Sequence, residues 1–293
     1  MFRRLREKKI TGFDVFNVVL LGIIGISVLY PFYYAITVSF MTDRAYADTT
    51  FRLFPSQVTF AAYHVLFQDG FLFIGYRNSL IITITGLIYS MVITVASAYG
   101  FSQKNFPGKK LLFSIIIFPM FFGGGLIPYY MLIKNLGLMD SLMSMVIPAG
   151  FGAFNMILIR NYFESLPESL KESAAIDGAK EFTILIKIIL PMSLPILATI
   201  GLFTVVGFWN TWFGAVLFIR SIDKKPLQLW LREMINTQST KLTASLIFDN
   251  PMKVPTQSVQ MAAVFITMLP IMCIYPFLQK YFVKGIMLGA VKG

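Results

Sequence analysis

A chain of 293 residues with 56% apolar and only 13% charged residues, 29 phenylalanines and a mean hydropathy of +0.71 falls in the membrane class, not among soluble globular proteins. A net charge of +11 would suggest nucleic acid in a soluble protein; in a membrane protein it bears on which side of the bilayer the charges lie, and no nucleic-acid partner is expected. The single cysteine, Cys273, excludes a disulfide within the chain and argues against a thiol metal site, so no metal is expected.

A spanning helix needs about 20 mainly apolar residues. In chain order six stretches qualify: 13–40, 76–102, 110–133, 141–163, 192–219 and 260–280. The predicted fold is therefore all-α, a polytopic membrane protein with six transmembrane helices over 13–280. The basic head 1–12 (MFRRLREKK…) precedes an apolar run, Phe13 to Phe40, that is too long for a signal peptide and lacks a small-residue cleavage site. That run stays as an anchor with the head in the cytoplasm. Segments 103–109, 164–191 and the tail 281–293 are then cytoplasmic, and 41–75, 134–140 and 220–259 are outer. Fifteen of the 25 Lys and Arg residues fall inside and ten outside, six of these in the long loop 220–259, where the rule weighs least. The distribution predicts an N-in/C-in topology.

Ionisable residues are nearly absent from the spans; Asp14 is at an edge, and Arg77 and Arg160 sit near span ends. Ion-coupled carriers commonly hold such groups at mid-membrane. If this protein moves a solute, the energy enters from outside the membrane. A self-contained secondary carrier is the alternative reading, disfavoured by this lack and by the absence of a clear internal repeat. An intramembrane enzyme would need paired acids or a Ser/His pair in the spans, and none is found, so no catalytic residue is assigned.

Within the third and second spans, two small-residue features stand out. Gly123–Gly125 followed by Pro128 marks either an unwound section lining a cavity or a close helix crossing. Ala96 and Gly100 form a small-xxx-small pair suited to packing. The fifth span carries FWNTW. Trp209 and Trp212, at i and i+3, are expected on one helix face, as a sugar contact or as a belt at the membrane interface. Asn210, and Asn155 in the fourth span, need hydrogen-bond partners, either a substrate or another helix. The outer segments 41–75 and 220–259 are the candidate surface for a binding protein. In the second, IRSIDKKPLQLWLREM suggests an amphipathic helix on the membrane face. Lys224, Lys225, Arg232, Lys241 and Lys253 give it a positive bias, suited to an acidic partner, a uronic-acid chain or membrane lipid head groups. The lone histidine, His64, is expected in a loop or at the surface.

One stretch is out of keeping with the rest. KESAAIDGAKEF, Lys171 to Phe182, is a polar helix–turn between two long apolar segments. Pro167 suits a helix start, Glu168 and Glu172 share an early face where the helix dipole favours carboxylates, Ala174 and Ala175 offer a smooth face, and Gly178 can take positive φ and stop the helix. A second segment, FTILIKIILP, follows to Pro191. These features fit either a knob for a socket on another protein or a helix resting on the membrane surface.

The string ESLPESLKESAAIDGAKEFTILIKIILPMSLP resembles the EAA loop of ABC importer permeases. Its pattern falls on Glu172, Ser173, Ala174, Asp177, Gly178, Ala179, Ile188, Leu190 and Pro191, and it departs only at Ser173, where the pattern prefers alanine. With FFGGGLIPYYMLIKNLGLMDS, FNMILIRNYFESLPESL, GFWNTWF and the ending QKYFVKGIMLGAVKG, nearly the whole chain is similar to carbohydrate-uptake permeases of the MalG-like type. The similarity is to the branch serving oligosaccharides from complex polysaccharides such as alginate or pectin. The resemblance implies the ABC type I importer permease fold in a bacterial cytoplasmic (inner) membrane. It also implies a second permease chain, a cytoplasmic ATPase dimer and an extracytoplasmic solute-binding protein. The EAA loop 164–191, with Glu172, Ser173, Ala174, Ala175, Asp177, Gly178 and Ala179, would couple to the ATPase, with Glu172 as the charged contact and Gly178 setting the angle. The tail would reach between the ATPase subunits. ATP and magnesium belong to the partner chains on this reading; this chain has no G-x-x-x-x-G-K-[ST] loop and is expected to bind no cofactor and to be no enzyme.

Overall fold

The computed structural model describes residues 11–42, 45–46, 57–68, 70–104, 106–236 and 256–290. Residues 1–10 of the basic head, 43–44 and 47–56 of the first outer loop, and 237–255 with Lys241 and Lys253 lie outside the described residues. Among those described, regular structure is helical and no strand occurs; only Met41 and Val58 meet, in an isolated antiparallel bridge. The first helices are α1 (Gly12–Ser39), α2 (Ala61–Gln68), α3 (Gly70–Ser102), α4 (Lys109–Phe121), α5 (Leu126–Asn135), α6 (Met143–Val146) and α7 (Ala153–Ser165). Then come α8 (Glu168–Ile176), α9 (Glu181–Met192), α10 (Leu194–Trp209), α11 (Phe213–Phe218), α12 (Leu227–Asn236) and α13 (Thr256–Ala290). They fall into two compact units, residues 1–69 with 237–266 and residues 70–236 with 267–293.

In the first unit, α1 opens with a capping box. The Asp14 N–H donates to Thr11 Oγ1 at 3.3 Å and the Thr11 N–H donates to the Asp14 carboxylate at 2.9 Å, so the one acid of this helix serves its start. Most of α1 exposes apolar side chains all round, as a helix facing lipid does, and only its end is buried at Ala35, Thr37, Val38 and Ser39. There the hydroxyls of Ser39 and Tyr63 share a 2.6 Å hydrogen bond, and Ser258 Oγ donates to the Met41 carbonyl at 3.1 Å. His64 is exposed on α2.

The second unit is built on α3, whose 33 residues extend roughly 50 Å. Its buried positions recur every three or four residues (Asn78, Ser79, Ile82, Gly86, Ser90, Thr94, Ala98, Phe101), and this stripe receives α7, α10 and α12. One apolar cluster, with Phe101, Met156, Phe163, Ile184 and Ile189, lies toward the end of α3; another, with Ile82, Met145, Phe208 and Leu229, lies toward its start. Close approach is made through Gly86, where a Cβ would stand 2.6 Å from the Phe208 ring, and through Gly150, where it would stand 2.2 Å from the Tyr89 ring. At Gly100 a Cβ would meet nothing within 4 Å, so the Ala96–Gly100 pair marks no crossing in this chain.

Among the described residues three helices are long and apolar enough to cross a bilayer: α1, α3 and the Gln257–Ile274 part of α13. Two bent helix pairs, α4 with α5 at 118° and α9 with α10 at 82°, reach the same length and hydropathy only when each pair is counted as one span. The first bend is the Gly123–Gly125 segment, with Gly125 at φ +85; nothing stands within 4 Å of a Cβ at Gly123 or Gly124, so it is an unwound section and no close crossing. The second falls at Ser193, between Pro191 and Pro195. Pro191 offers no N–H to the Lys187 carbonyl, and the wide π-turn Leu185–Ile189 precedes it. The expected fourth span, 141–163, is not one helix: Pro148 to Gly152 separates α6 from α7, and the 13 residues of α7 extend only about 20 Å. The fifth stretch likewise stops at Trp209 and restarts as α11. A Gly86→Ala substitution should force the Phe208 ring out of place and cost about 1–3 kcal/mol, read as a lower thermal unfolding midpoint in detergent, whereas Gly100→Ala should leave it unchanged or slightly higher.

Candidate functional site

Two polar regions lie at opposite ends of α3. Tyr99 and Lys104 meet the EAA segment; Arg77, Asn78 and Ser79 meet residues 223–227. At 1.5 Å per residue these ends are roughly 30 Å apart, the thickness of a bilayer's hydrocarbon core.

At the first end, α8 begins after Pro167 and closes in a Schellman turn. The Ala179 N–H donates to the Ala174 carbonyl at 2.9 Å and the Gly178 N–H to the Ala175 carbonyl at 3.0 Å, with Gly178 at φ +80. Ala174 and Ala179, five places apart and joined by that turn's hydrogen bond, are half-buried and pack on the cluster of Phe101, Phe163 and Ile184. The smooth face expected of Ala174 and Ala175 is therefore divided: Ala174 holds the turn to the body, and Ala175 faces out with Glu172, Ser173, Asp177 and Gly178. Tyr99 donates a 2.5 Å hydrogen bond to Glu181, and Lys104 pairs with Glu168. Both partners of that ion pair are well exposed, so it contributes little and the apolar packing sets the position. Beneath α8 lies an open cavity of about 740 Å³ lined by Gln103, Lys104, Lys109, Glu164, Lys171 and Glu181. Two apolar side chains of the turn stand in the open: Ile176 is 86% and Phe182 71% exposed.

At the other end, Asp140 organises the chain in the loop after α5. Its N–H donates to the Phe218 carbonyl at 2.8 Å, and Oδ1 accepts the N–H groups of Arg220 and Ser221, each at 2.9 Å. Lys224 Nζ reaches the Asp140 carbonyl at 2.8 Å and Oδ2 at 3.2 Å. The φ of 54° at Asp140 is one that aspartate tolerates better than most residues. The Ser221 hydroxyl and N–H, then the Arg220 N–H, hold the Asp140 carboxyl well below the usual carboxylate range, with Lys224 adding to them. From α3, Asn78 Nδ2 donates to the carbonyls of Asp223 (2.8 Å) and Lys225 (3.1 Å), and Ser79 Oγ accepts the Leu227 N–H at 2.9 Å. These bonds aim α12.

The amphipathic helix expected on the membrane face is α12, but its apolar residues Leu227, Leu229, Trp230 and Met234 are buried in the protein. Of the basic residues expected there, Lys224 is paired with Asp140 and Lys225 with Glu233 at 2.8 Å. Arg232 instead stacks on Trp212, 3.6 Å from the ring centroid. Asn210 caps α10: its Nδ2 donates to the Val206 carbonyl at 3.0 Å, and its Oδ1 accepts from Gln228 Nε2 at 3.3 Å. Trp209 and Trp212 do not share a face. Helix α10 ends between them, leaving Trp209 3% exposed against Tyr76 with its indole N–H on the Thr267 carbonyl at 3.3 Å, and Trp212 38% exposed. Asn155 is half-buried in the first turn of α7 and joins neither group.

Sequence reasoning passed over Ile176, Phe182, Asp140 and Gln228. The first two carried a signal, apolar residues inside a polar turn. Asp140 carried a weaker one, an acid three places after Gly137, which also has positive φ. Replacing Asp140 by Asn should lower the hydrogen-exchange protection of the Arg220 and Ser221 amides at neutral pH. Because the folded carboxyl titrates below its unfolded value of about 3.9, the native protein should keep that protection from neutrality downward and lose it only in stronger acid. Unchanged protection in the variant would remove Asp140 from this role.

The family described as binding-protein-dependent transport system inner membrane component matches residues 93–288. Protein LplC of Bacillus subtilis (strain 168) is 38% identical over 281 residues, 96% of this chain and 95% of its own. The polygalacturonan/rhamnogalacturonan transport system permease protein YtcP of the same organism is 36% identical over 263 residues, 90% and 92% of the two chains. Among solved structures, a chain of a bacterial ABC transporter involved in the import of the acidic polysaccharide alginate superposes with a TM-score of 0.87 at 33% identity, covering 92% of this chain and 96% of that one. A chain of an alginate ABC transporter in complex with an alginate pentasaccharide-bound periplasmic protein shares the fold, with a TM-score of 0.58 at 15% identity, covering 90% and 92%. The chain belongs to the binding-protein-dependent transport system inner membrane components, the membrane-embedded permease subunits of ABC importers.

Proposed function

We propose that this chain is a multi-pass permease of the bacterial cytoplasmic membrane, crossing six times with both termini inside. With a second permease chain it forms the path for an oligosaccharide derived from an acidic polysaccharide. An extracytoplasmic solute-binding protein delivers the sugar, and a cytoplasmic ATPase dimer, which holds ATP and magnesium, drives the cycle through the turn of Glu168 to Ala179. The relative named for polygalacturonan and rhamnogalacturonan transport and the neighbour that imports alginate support the substrate class.

The observation that carries the coupling reading is the form of the turn. A polar helix end would gain nothing by holding Ile176 and Phe182 in water, yet the Schellman closure and the packing of Ala174 and Ala179 hold it in place with both side chains outward. Burying one such side chain in a partner is worth about 1.5–3 kcal/mol. Glu172, exposed one helical turn before Ile176, supplies a charge beside this apolar contact.

Because Ile176 touches little of its own chain, Ile176→Ser should leave folding intact while weakening ATPase capture by about 10- to 100-fold; Glu172→Ala should add to the loss. The measurement is a mild-detergent pull-down of the tagged protein with quantitation of co-purifying chains, alongside oligosaccharide uptake. Full ATPase recovery with both substitutions would remove the turn from the coupling role. Uptake that persists without any ATPase would favour a self-contained carrier.

A further inference from the structure

We infer that Arg232, held on Trp212, forms a carboxylate-binding subsite for one uronate residue of the transported chain, with the Asn210–Gln228 amide pair beside it. The inference rests on the permease reading above and assigns a residue to its substrate selectivity.

The sequence suggested only a general positive bias in this segment, and the structure narrows it. Lys224 and Lys225 are each spoken for by a carboxylate of their own chain. Among the described residues Arg232 has no carboxylate partner, and it lies over the Trp212 ring. A guanidinium whose central carbon lies 3.6 Å over an indole centroid spends no N–H donor on that contact and keeps them to grip a carboxylate with two parallel hydrogen bonds. The stacking also fixes the side chain in advance, so less rotamer freedom is lost when an anion arrives.

The surroundings suit a sugar. Trp212, Gln228, Leu231, Arg232, Ile235 and Asn236 line an open cavity of about 400 Å³, at the low end of the ~300–1,000 Å³ usual for small-ligand sites. Leu231 and Ile235 offer an apolar wall for the C–H face of a pyranose ring. Gln228 spends an N–H on Asn210 and keeps its carbonyl oxygen for a hydroxyl; Asn236 adds a second amide at the rim. An acidic side chain of a docked protein would need the cation but not the flanking amides. The segment that leads into α12 is held by Asn78, Ser79 and Asp140, so the subsite helix starts from a braced stretch.

The test uses the full importer, reconstituted in lipid nanodiscs without its binding protein, and two probes: trigalacturonate and its fully methyl-esterified form, the same sugar without charge. The wild type should bind the acid more tightly than the ester. Arg232→Gln should weaken the acid by about tenfold or more and change the ester by less than about twofold, and Arg232→Lys should restore part of the loss. Equal weakening of acid and ester, or no change in either, would overturn the subsite. So would unaltered sugar binding with weaker docking of the binding protein, which would assign Arg232 to that interface. Binding of neither probe by the wild type, with ATPase capture intact, would overturn the oligosaccharide class and this subsite together, while leaving the coupling reading in place.

Discussion

The second unit depends on one constraint, the straight run of α3. A single helix of 33 residues is the element here that meets polar structure at both ends while burying a continuous stripe between them. Its small and hydroxylated residues (Gly75, Ser79, Gly86, Ser90) let α7, α10 and α12 come close, because in lipid close packing, and not expulsion of water, holds helices together. The residues near Tyr99 and those that position residues 223–227 therefore belong to one helix.

The two ends are held by different physics. Near Tyr99 the EAA turn rests on apolar packing, with exposed ion pairs that are worth little, so its position depends little on ionic conditions. Around Asp140 the segment 220–227 carries many backbone groups that no helix satisfies, and side chains from α3 and from the loop after α5 supply the partners. A carboxylate taking two backbone N–H groups, a hydroxyl and an ammonium is a cross-link in all but covalency, and it joins the loop after α5 to residues 220–224.

The broken helices share a cause and differ in consequence. Glycines unwind the α4–α5 pair where little crowds them, and prolines bend α9 into α10 at Ser193, a buried residue. Irregular backbone in a membrane persists where protein or a water-filled path covers it. The exposed faces of α4 and α5 fit a chain that completes its packing with a second permease, in keeping with the pairing proposed for it.

The helical class, the long apolar stretches and the helix stop at Gly178 were legible in the sequence, and Gly123–Gly125 was legible as a special point whose two readings stayed open, because each follows from composition, backbone freedom or spacing within about twenty residues. Six uninterrupted spans were not: a hydropathy window averages over Pro148–Gly152 and over the break after Trp209, whereas the backbone cannot. Which tryptophan is core and which is open, which of three cations is left without a carboxylate, and which alanine of the EAA turn faces inward depended on residues up to about 150 positions apart in the chain, as with Asn78 and Lys225. Local sequence sets what a segment can form; only the tertiary structure decides what it meets, since contacts over such separations exist only once the helices have packed.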